Sequence, residues 1–236
     1  MLDETDIGQE KQWFHKERAL AVVKNLQKKH INGFYAVNRA EALPIVMDMI
    51  PSGALVVRGD SMTVEQVGII DALIKRNKNR LIDIFHRNPD GSRLFKPEDK
   101  PRLEREAFSA DVYITGSNAI TLDGKIVNTD GMGNRVAPMV FGPQKVILVI
   151  GVNKIVNNEE EARQRIRDIA APMNAIRHYM KHKAEKLANL PCVRTGRCAD
   201  CSHDARICHY TVVIDGADAV HTGRINVVLV GEELGL

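Results

Sequence analysis

The chain has 236 residues, 44% of them hydrophobic and 27% charged, an ordinary globular balance with length enough for a buried core. Its net charge is +3, and no basic stripe interleaved with aromatics accompanies it, which argues against a nucleic-acid partner. No apolar run reaches the roughly 18 residues of a membrane helix. Residues 1–6 are acidic and lack the apolar core of a signal peptide, so the reducing cytoplasm is the expected compartment.

Residues 10–30 read as an amphipathic helix, with Trp13, Phe14, Leu20, Val23 and Leu26 near helical spacing. A short strand is expected over 34–37 and a helix over 39–49, ending before Pro51-Ser52-Gly53. The apolar run 54–58 has strand length. Gly59-Asp60-Ser61-Met62-Thr63 follows it, then a helix over 64–75 and a strand over 81–85. Residues 86–100 are polar, carry Pro89, Gly91 and Pro97, and read as a long surface connection. A helix over 102–109 leads into a strand over 111–115. Asp123-Gly124, between two short apolar runs, is a hairpin signal. A short helix is expected over 135–141, closed by Gly142-Pro143. Residues 146–150 are apolar at every position, as in a strand covered on both faces in mid-sheet. Asn157 and Asn158 precede a charged helix running to Ala170 and stopped by Pro172, with a further helix over 174–189. Strands over 211–214 and 225–230 close the chain, the second returning to the main sheet.

Strands alternating with helices predict an α/β fold with a largely parallel, Rossmann-like sheet. There is no internal repeat and no low-complexity linker, so residues 1–236 read as one domain.

All four cysteines fall late in the chain, as Cys192-x5-Cys198-x2-Cys201-x6-Cys208. In a reducing compartment such clustering points to a metal or redox site rather than to disulfides. Thiolates suit zinc or an iron–sulfur cluster. Only Cys198 and Cys201 form a tight pair, whereas structural zinc sites usually show two, and that favours a [4Fe–4S] cluster over zinc. Arg194, Arg197 and Arg206 would offset the thiolate charge. His203 and His209 lie in the same segment; they either substitute for one cysteine or, on the plainer and favoured reading, are solvated loop residues. The alternative is four free or redox-paired thiols.

Several stretches together resemble one family. They are Arg58-Gly59-Asp60-Ser61-Met62-Thr63, then Ala110-Asp111-Val112-Tyr113-Ile114-Thr115-Gly116-Ser117-Asn118-Ala119-Ile120, and Asp123-Gly124-Lys125-Ile126-Val127-Asn128 with Asp130-Gly131. Gly133-Asn134-Arg135-Val136-Ala137, Phe141-Gly142-Pro143 and Gly151-Val152-Asn153-Lys154-Ile155-Val156 complete the set. The pattern resembles the LUD domain, the lactate-utilisation protein C-like family, from about residue 16 to the end. The resemblance implies a fold similar to the sugar-phosphate isomerase and CoA-transferase superfamily. It also implies a place in lactate or organic-acid oxidation beside iron–sulfur partner proteins. It brings no catalytic set with it. The chain lacks the C-x2-C-x2-C-x3-C-P ferredoxin run and so resembles the stand-alone form, with a cysteine loop (190–210) that many such members lack.

Three further stretches carry candidate chemistry, each with a plainer reading beside it. Gly59, Ser61 and Thr63 stand between a strand and a helix, where α/β sheets bind anions. The plainer reading is a helix cap, with Glu65 in its first turn. Gly116, Ser117 and Asn118, then Gly131, Gly133, Asn134 and Arg135, have the composition of a phosphate or carboxylate pocket. Alternatively they are turn residues. Asp130 is a candidate acid or base. Lys154, after the central strand, either reaches this pocket or lies on the surface.

The expected ligand is a small anionic metabolite or CoA. The leading expectation is an electron-transferring LUD protein. The rivals are an isomerase or transferase on a sugar phosphate or acyl-CoA, with Asp130 or Glu65 as base, and a non-catalytic subunit. A homo-oligomer is compatible with every one of these.

Overall fold

A computed structural model describes residues 4–87, 92–93 and 95–236. Its strands are β1 (Asn32–Ala36), β2 (Leu55–Arg58), β3 (Arg80–Ile82), β4 (Val112–Thr115), β5 (Ala119–Thr121), β6 (Ile126–Asp130), β7 (Lys145–Gly151), β8 (Ile155–Val156), β9 (Tyr210–Ile214) and β10 (Ile225–Val230). Six of them form one sheet in the order β1-β10-β7-β4-β2-β3, and every neighbouring pair is parallel. This is the Rossmann-like α/β sheet expected, with the run around residues 146–150 in its middle.

Alternation along β7 shows why that run is apolar throughout. Val146, Leu148 and Ile150 face one core, with Ala19, Val22 and Leu26 of the helix Gly8–Lys28 and Leu103 of the helix Lys100–Glu106. Ile147 and Val149 face the other core, with the helices Arg39–Asp48, Met62–Val67 and Ile69–Arg76. A parallel sheet needs this double cover, because each crossover lays a helix on one face. Leu26 is buried as expected, but Trp13, Phe14 and Leu20 are exposed.

A second, four-stranded sheet, β8-β5-β6-β9, packs beside the first. Its hairpin β5–β6 is antiparallel and turns at Asp123-Gly124, where Gly124 has φ +90°. Strand β9 adds to β6, so only β10 of the last two strands returns to the main sheet.

The helices depart from expectation at three points. The helix expected over 64–75 breaks at Gly68, whose φ of +79° lets the chain change direction. The stop expected at Pro172 is absent. The chain widens into a π turn over Ile166–Ala170, and Pro172 occupies the start of the next helix, Ala171–His182, where its missing N–H is tolerated. The helix expected over 174–189 ends instead at Lys183, which takes the left-handed conformation (φ +51°), and a short turn Glu185–Ala188 follows. The surface connection expected over 86–100 lies partly outside the described residues. Its described part includes a bridge between Arg87 and Arg93 and a 3-10 turn at Pro97–Asp99.

The cysteine segment rests on a small separate core. Ala175, Leu187 and Leu190 form its buried centre, with Cys192, Val193, Ala205 and Ile207 against it.

Ile147 is fully buried between strands and helices. Ile147→Ala is expected to lower the unfolding free energy by about 2–5 kcal/mol in a urea titration, through lost transfer energy and the cavity left behind. A loss below about 1 kcal/mol would show that this strand is not packed as described.

Candidate functional site

The strands β2, β4 and β7 lie close together in the sheet, and their carboxyl ends run into Gly59, Gly116 and the turn Val152–Lys154. Crevices of this kind, beyond the carboxyl edge of a parallel sheet, are where α/β proteins bind ligands. Here the chain crowds itself. A Cβ on Gly59 would collide with the Tyr113 hydroxyl and come within 2.8 Å of Thr115 Oγ1, and one on Gly116 would sit 2.7 Å from Ser61 Oγ. With no side chain at either place, a cavity of about 240 Å³ opens.

Gly59 and Ser61 line this cavity, as do Gly116, Ser117 and Asn118, then Asp130, Gly131, Asn134 and Arg135, and finally Lys154. Thr63, Glu65 and Gly133 are not part of its wall. Thr63 is wholly buried and accepts a hydrogen bond from Lys154 Nζ at 3.0 Å. Glu65 pairs with Arg58 at 2.6 Å, its side chain half exposed.

Several of these side chains also do structural work. Ser61 Oγ accepts the amide of Val64 and caps the helix Met62–Val67. Asn118 Oδ1 accepts Thr129 N at 2.8 Å, and Asn128 Oδ1 accepts Asn118 N at 3.0 Å, which stitches the β4–β5 loop to β6. Arg135 donates to Asn128 Oδ1, Asn118 Oδ1, Thr129 O and Gly116 O. All four acceptors are neutral. Asp130 accepts the amides of Gly131, Arg135 and Val136 at 2.6, 2.8 and 3.2 Å. Its oxygens are turned toward the backbone of the following turn.

The charges fall into two groups. Arg58 pairs with Asp83 at 2.7 Å, both side chains almost fully buried. Arg177 grips Asp60 through both terminal nitrogens, at 3.0 and 3.1 Å. Burial opposes ionisation of Asp60, but the Arg177 fork outweighs it and holds the carboxyl below the ordinary range. Lys154 belongs to the other group. Its residue is 4% exposed, and burial, with Arg165 and Arg135 adding repulsion, pulls its amine down to about 7. Arg165 itself donates to Asn153 O and Asn118 O, both neutral. Arg135 and Arg165 thus bring positive charge beside Lys154 with neutral hydrogen-bond partners, and of the three Arg135 and Lys154 line the cavity.

Asp60, Arg177, His178 and Tyr113 also line the cavity and were missed as ligand-site residues. Asp60 stood in plain view inside the Arg58-to-Thr63 motif. Arg177 and His178 carry no motif; in sequence they read as the polar face of a helix. Burial holds His178 below its ordinary value and pushes the Tyr113 phenol up.

The four cysteines are unpaired and line one small cavity of about 40 Å³. Arg206 closes the loop by donating to Cys201 O at 2.6 Å and Cys208 O at 2.7 Å. The amide of Asp200 donates to Cys198 Sγ at 3.4 Å. His203 and His209 are not part of this wall. Among the described residues, no three or more His, Cys, Asp or Glu groups converge as a site for a single metal ion. Ala171, Ile207 and Cys208 line both cavities, so the cysteine site and the glycine-rich pocket share a wall.

The LUD domain model matches residues 20–230. The chain belongs to the LUD-domain family. The match bears out the resemblance carried by the motifs around Arg58, Asp111 and Asn134. A DUF162 family protein from Deinococcus radiodurans, known from a crystal structure, is similar in fold to this LUD protein. It is 17% identical, with a TM-score of 0.50, over 92% of this chain and 97% of that one. Ribose 5-phosphate isomerase A from Neisseria gonorrhoeae aligns over 55% of this chain and 61% of its own, at 16% identity and a TM-score of 0.31. No curated protein is significantly similar in sequence. Among the described residues of the LUD chain, no helix is long and apolar enough to cross a membrane.

Lys154 makes stability depend on pH in a definite direction. Its pKa is about 7 folded and near 10.5 unfolded, so above pH 7 the unfolded chain holds a proton the folded one has lost, and stability rises with pH. Lys154→Met is expected to stabilise the protein most at pH 6. The gain should shrink by up to about 1.4 kcal/mol per unit as pH climbs from 7 toward 10. Urea titrations of both proteins across this range check it, and a pH-independent difference would refute it.

Proposed function

We propose that this LUD protein works in lactate or organic-acid utilisation, holding a small anionic metabolite in the glycine-rich cavity beside a [4Fe–4S] cluster on the cysteine loop. One observation carries the reading: Ile207 and Cys208 line both cavities. A group held by Cys192, Cys198, Cys201 and Cys208 would lie against the wall that it shares with the glycine-rich cavity. The donor set fits such a group. All four thiols are free around one space, and a backbone N–H already points at one sulfur, the kind of hydrogen bond that tunes iron–sulfur potentials. Among the described residues no three of these groups converge on a single-ion site, so what supports the cluster is the shared cavity of the four thiols. When bound, the cluster would supply one-electron exchange.

Other groups have other tasks. Arg135 on the pocket wall, with the charge of Arg165 behind it, favours a carboxylate in the pocket. The Asp60–Arg177 pair braces the motif Arg58-to-Thr63 against the helix that also supports the cysteine loop. The reducing cytoplasm suits four unpaired thiols.

The isomerase or transferase alternative asks for a free carboxylate base. Asp130 is engaged by three amides and Glu65 by Arg58 outside the cavity, so neither favours it.

Protein purified without oxygen is expected to be brown, with iron and acid-labile sulfide in equal amounts. Cys198→Ser with Cys201→Ser should remove both. L-lactate at millimolar concentration should raise the melting temperature by binding the folded state and should alter the paramagnetic resonance of the reduced cluster. A colourless protein with one zinc, or metal content unchanged in the double variant, would overturn the cluster assignment.

A further inference from the structure

The pocket contains a group that anion binding alone leaves unexplained. Lys154 lies just past the carboxyl end of β7, in the turn Val152–Lys154. Its nitrogen is lodged between Thr63 Oγ1, 3.0 Å away, and the chain at Gly235, where an added Cβ would come within 2.7 Å of it. Among the described residues no carboxylate forms an ion pair with it, although Arg58, Lys100 and Arg177 on the cavity wall have such partners. A surface lysine extends into water, and a buried structural lysine is normally neutralised by an acid. Lys154 does neither, yet it lines the cavity. Desolvation and neighbouring cations, here Arg165 and Arg135, are the two means by which proteins make a lysine amine nucleophilic.

We propose that Lys154 captures a 2-oxo acid in this pocket as a Schiff base, its Nζ attacking the keto carbon while the cations of the pocket hold the carboxylate. The proposal rests on the pocket being the ligand site. In the overall step the Lys154 ammonium and the ketone give a protonated imine and one water. A C=N bond replaces C=O, and the two protons lost by nitrogen leave with the oxygen. No electron is gained or lost, so no oxidant or reductant is required. Arg135, on the cavity wall and hydrogen-bonded only to neutral oxygens, selects an oxo acid over an uncharged aldehyde or ketone, with the charge of Arg165 behind the wall adding to the field.

The test is reductive trapping. The full chain is incubated with pyruvate or glyoxylate and sodium cyanoborohydride, then mapped by peptide mass spectrometry. The reduced adduct is expected on Lys154, forming at least about tenfold faster than on any other lysine. L-lactate, which can occupy the pocket but has no carbonyl, should slow it. Lys154→Arg and Lys154→Met should abolish it, with thermal melts confirming that they fold; if they do not, the map of the wild-type adduct decides alone. Melting shifts with L-lactate and pyruvate run in parallel. A shift without an adduct on Lys154 overturns the Schiff base and leaves the pocket standing. No shift and no adduct overturn both. Adduct spread evenly over surface lysines also overturns the proposal.

Discussion

The architecture of this protein turns on two places where a side chain is forbidden. At Gly59 and Gly116 the chain leaves neighbouring strands so tightly that a single methyl would strike Tyr113, Thr115 or Ser61. Sheet geometry sets the strand ends about 5 Å apart, and here the two loops pass each other's side chains so closely that any Cβ would conflict. Glycine resolves that conflict and exposes backbone to the cavity. The helix Met62–Val67, the Asn118–Asn128 stitching and the turn after Asp130 are then built around the two glycine corners.

The distribution of charge follows from burial. The pocket sits partly below the protein surface, so each ion there needs either a partner or a ligand. Arg58 and Arg177 have carboxylate partners and act as braces. Arg135 and Arg165 are anchored by amide and carbonyl oxygens, which hold them in place without cancelling their charge. The same two arginines that would attract a carboxylate also repel the ammonium of Lys154, so anion attraction and the lowered amine would have one origin.

The main sheet was legible because parallel strands buried on both faces are apolar nearly throughout: residues 146–150 are so at every position and 225–230 at all but Asn226. The Asp123-Gly124 turn was legible because its dipeptide suits the reversal. What escaped were features decided by tertiary context. Pro172 ordinarily ends a helix, but a π turn ahead of it takes up the distortion. Trp13 and Phe14 keep helical spacing, yet the burial of their helix begins only at Ala19. In the site, the glycine and amide clusters were visible as composition. Arg177 and His178 were not, because nothing in their local sequence distinguishes a pocket-facing helix side from a solvated one. Nor did the interval between Cys208 and the glycine-rich motifs hint at the shared wall, which arises from β9 returning to pair with β6.

Among the described residues, the cysteine loop and the helix beneath it form a satellite with three buried apolar residues, far fewer than the cores flanking the sheet. Stability within a protein is uneven, and a unit with so small an interior opens well before the whole molecule does. Such an opening would withdraw Ile207 and Cys208 and take one side off the pocket. Anything that knits the four thiols together would therefore act as a latch, keeping the glycine-rich cavity closed by stabilising a lobe outside it.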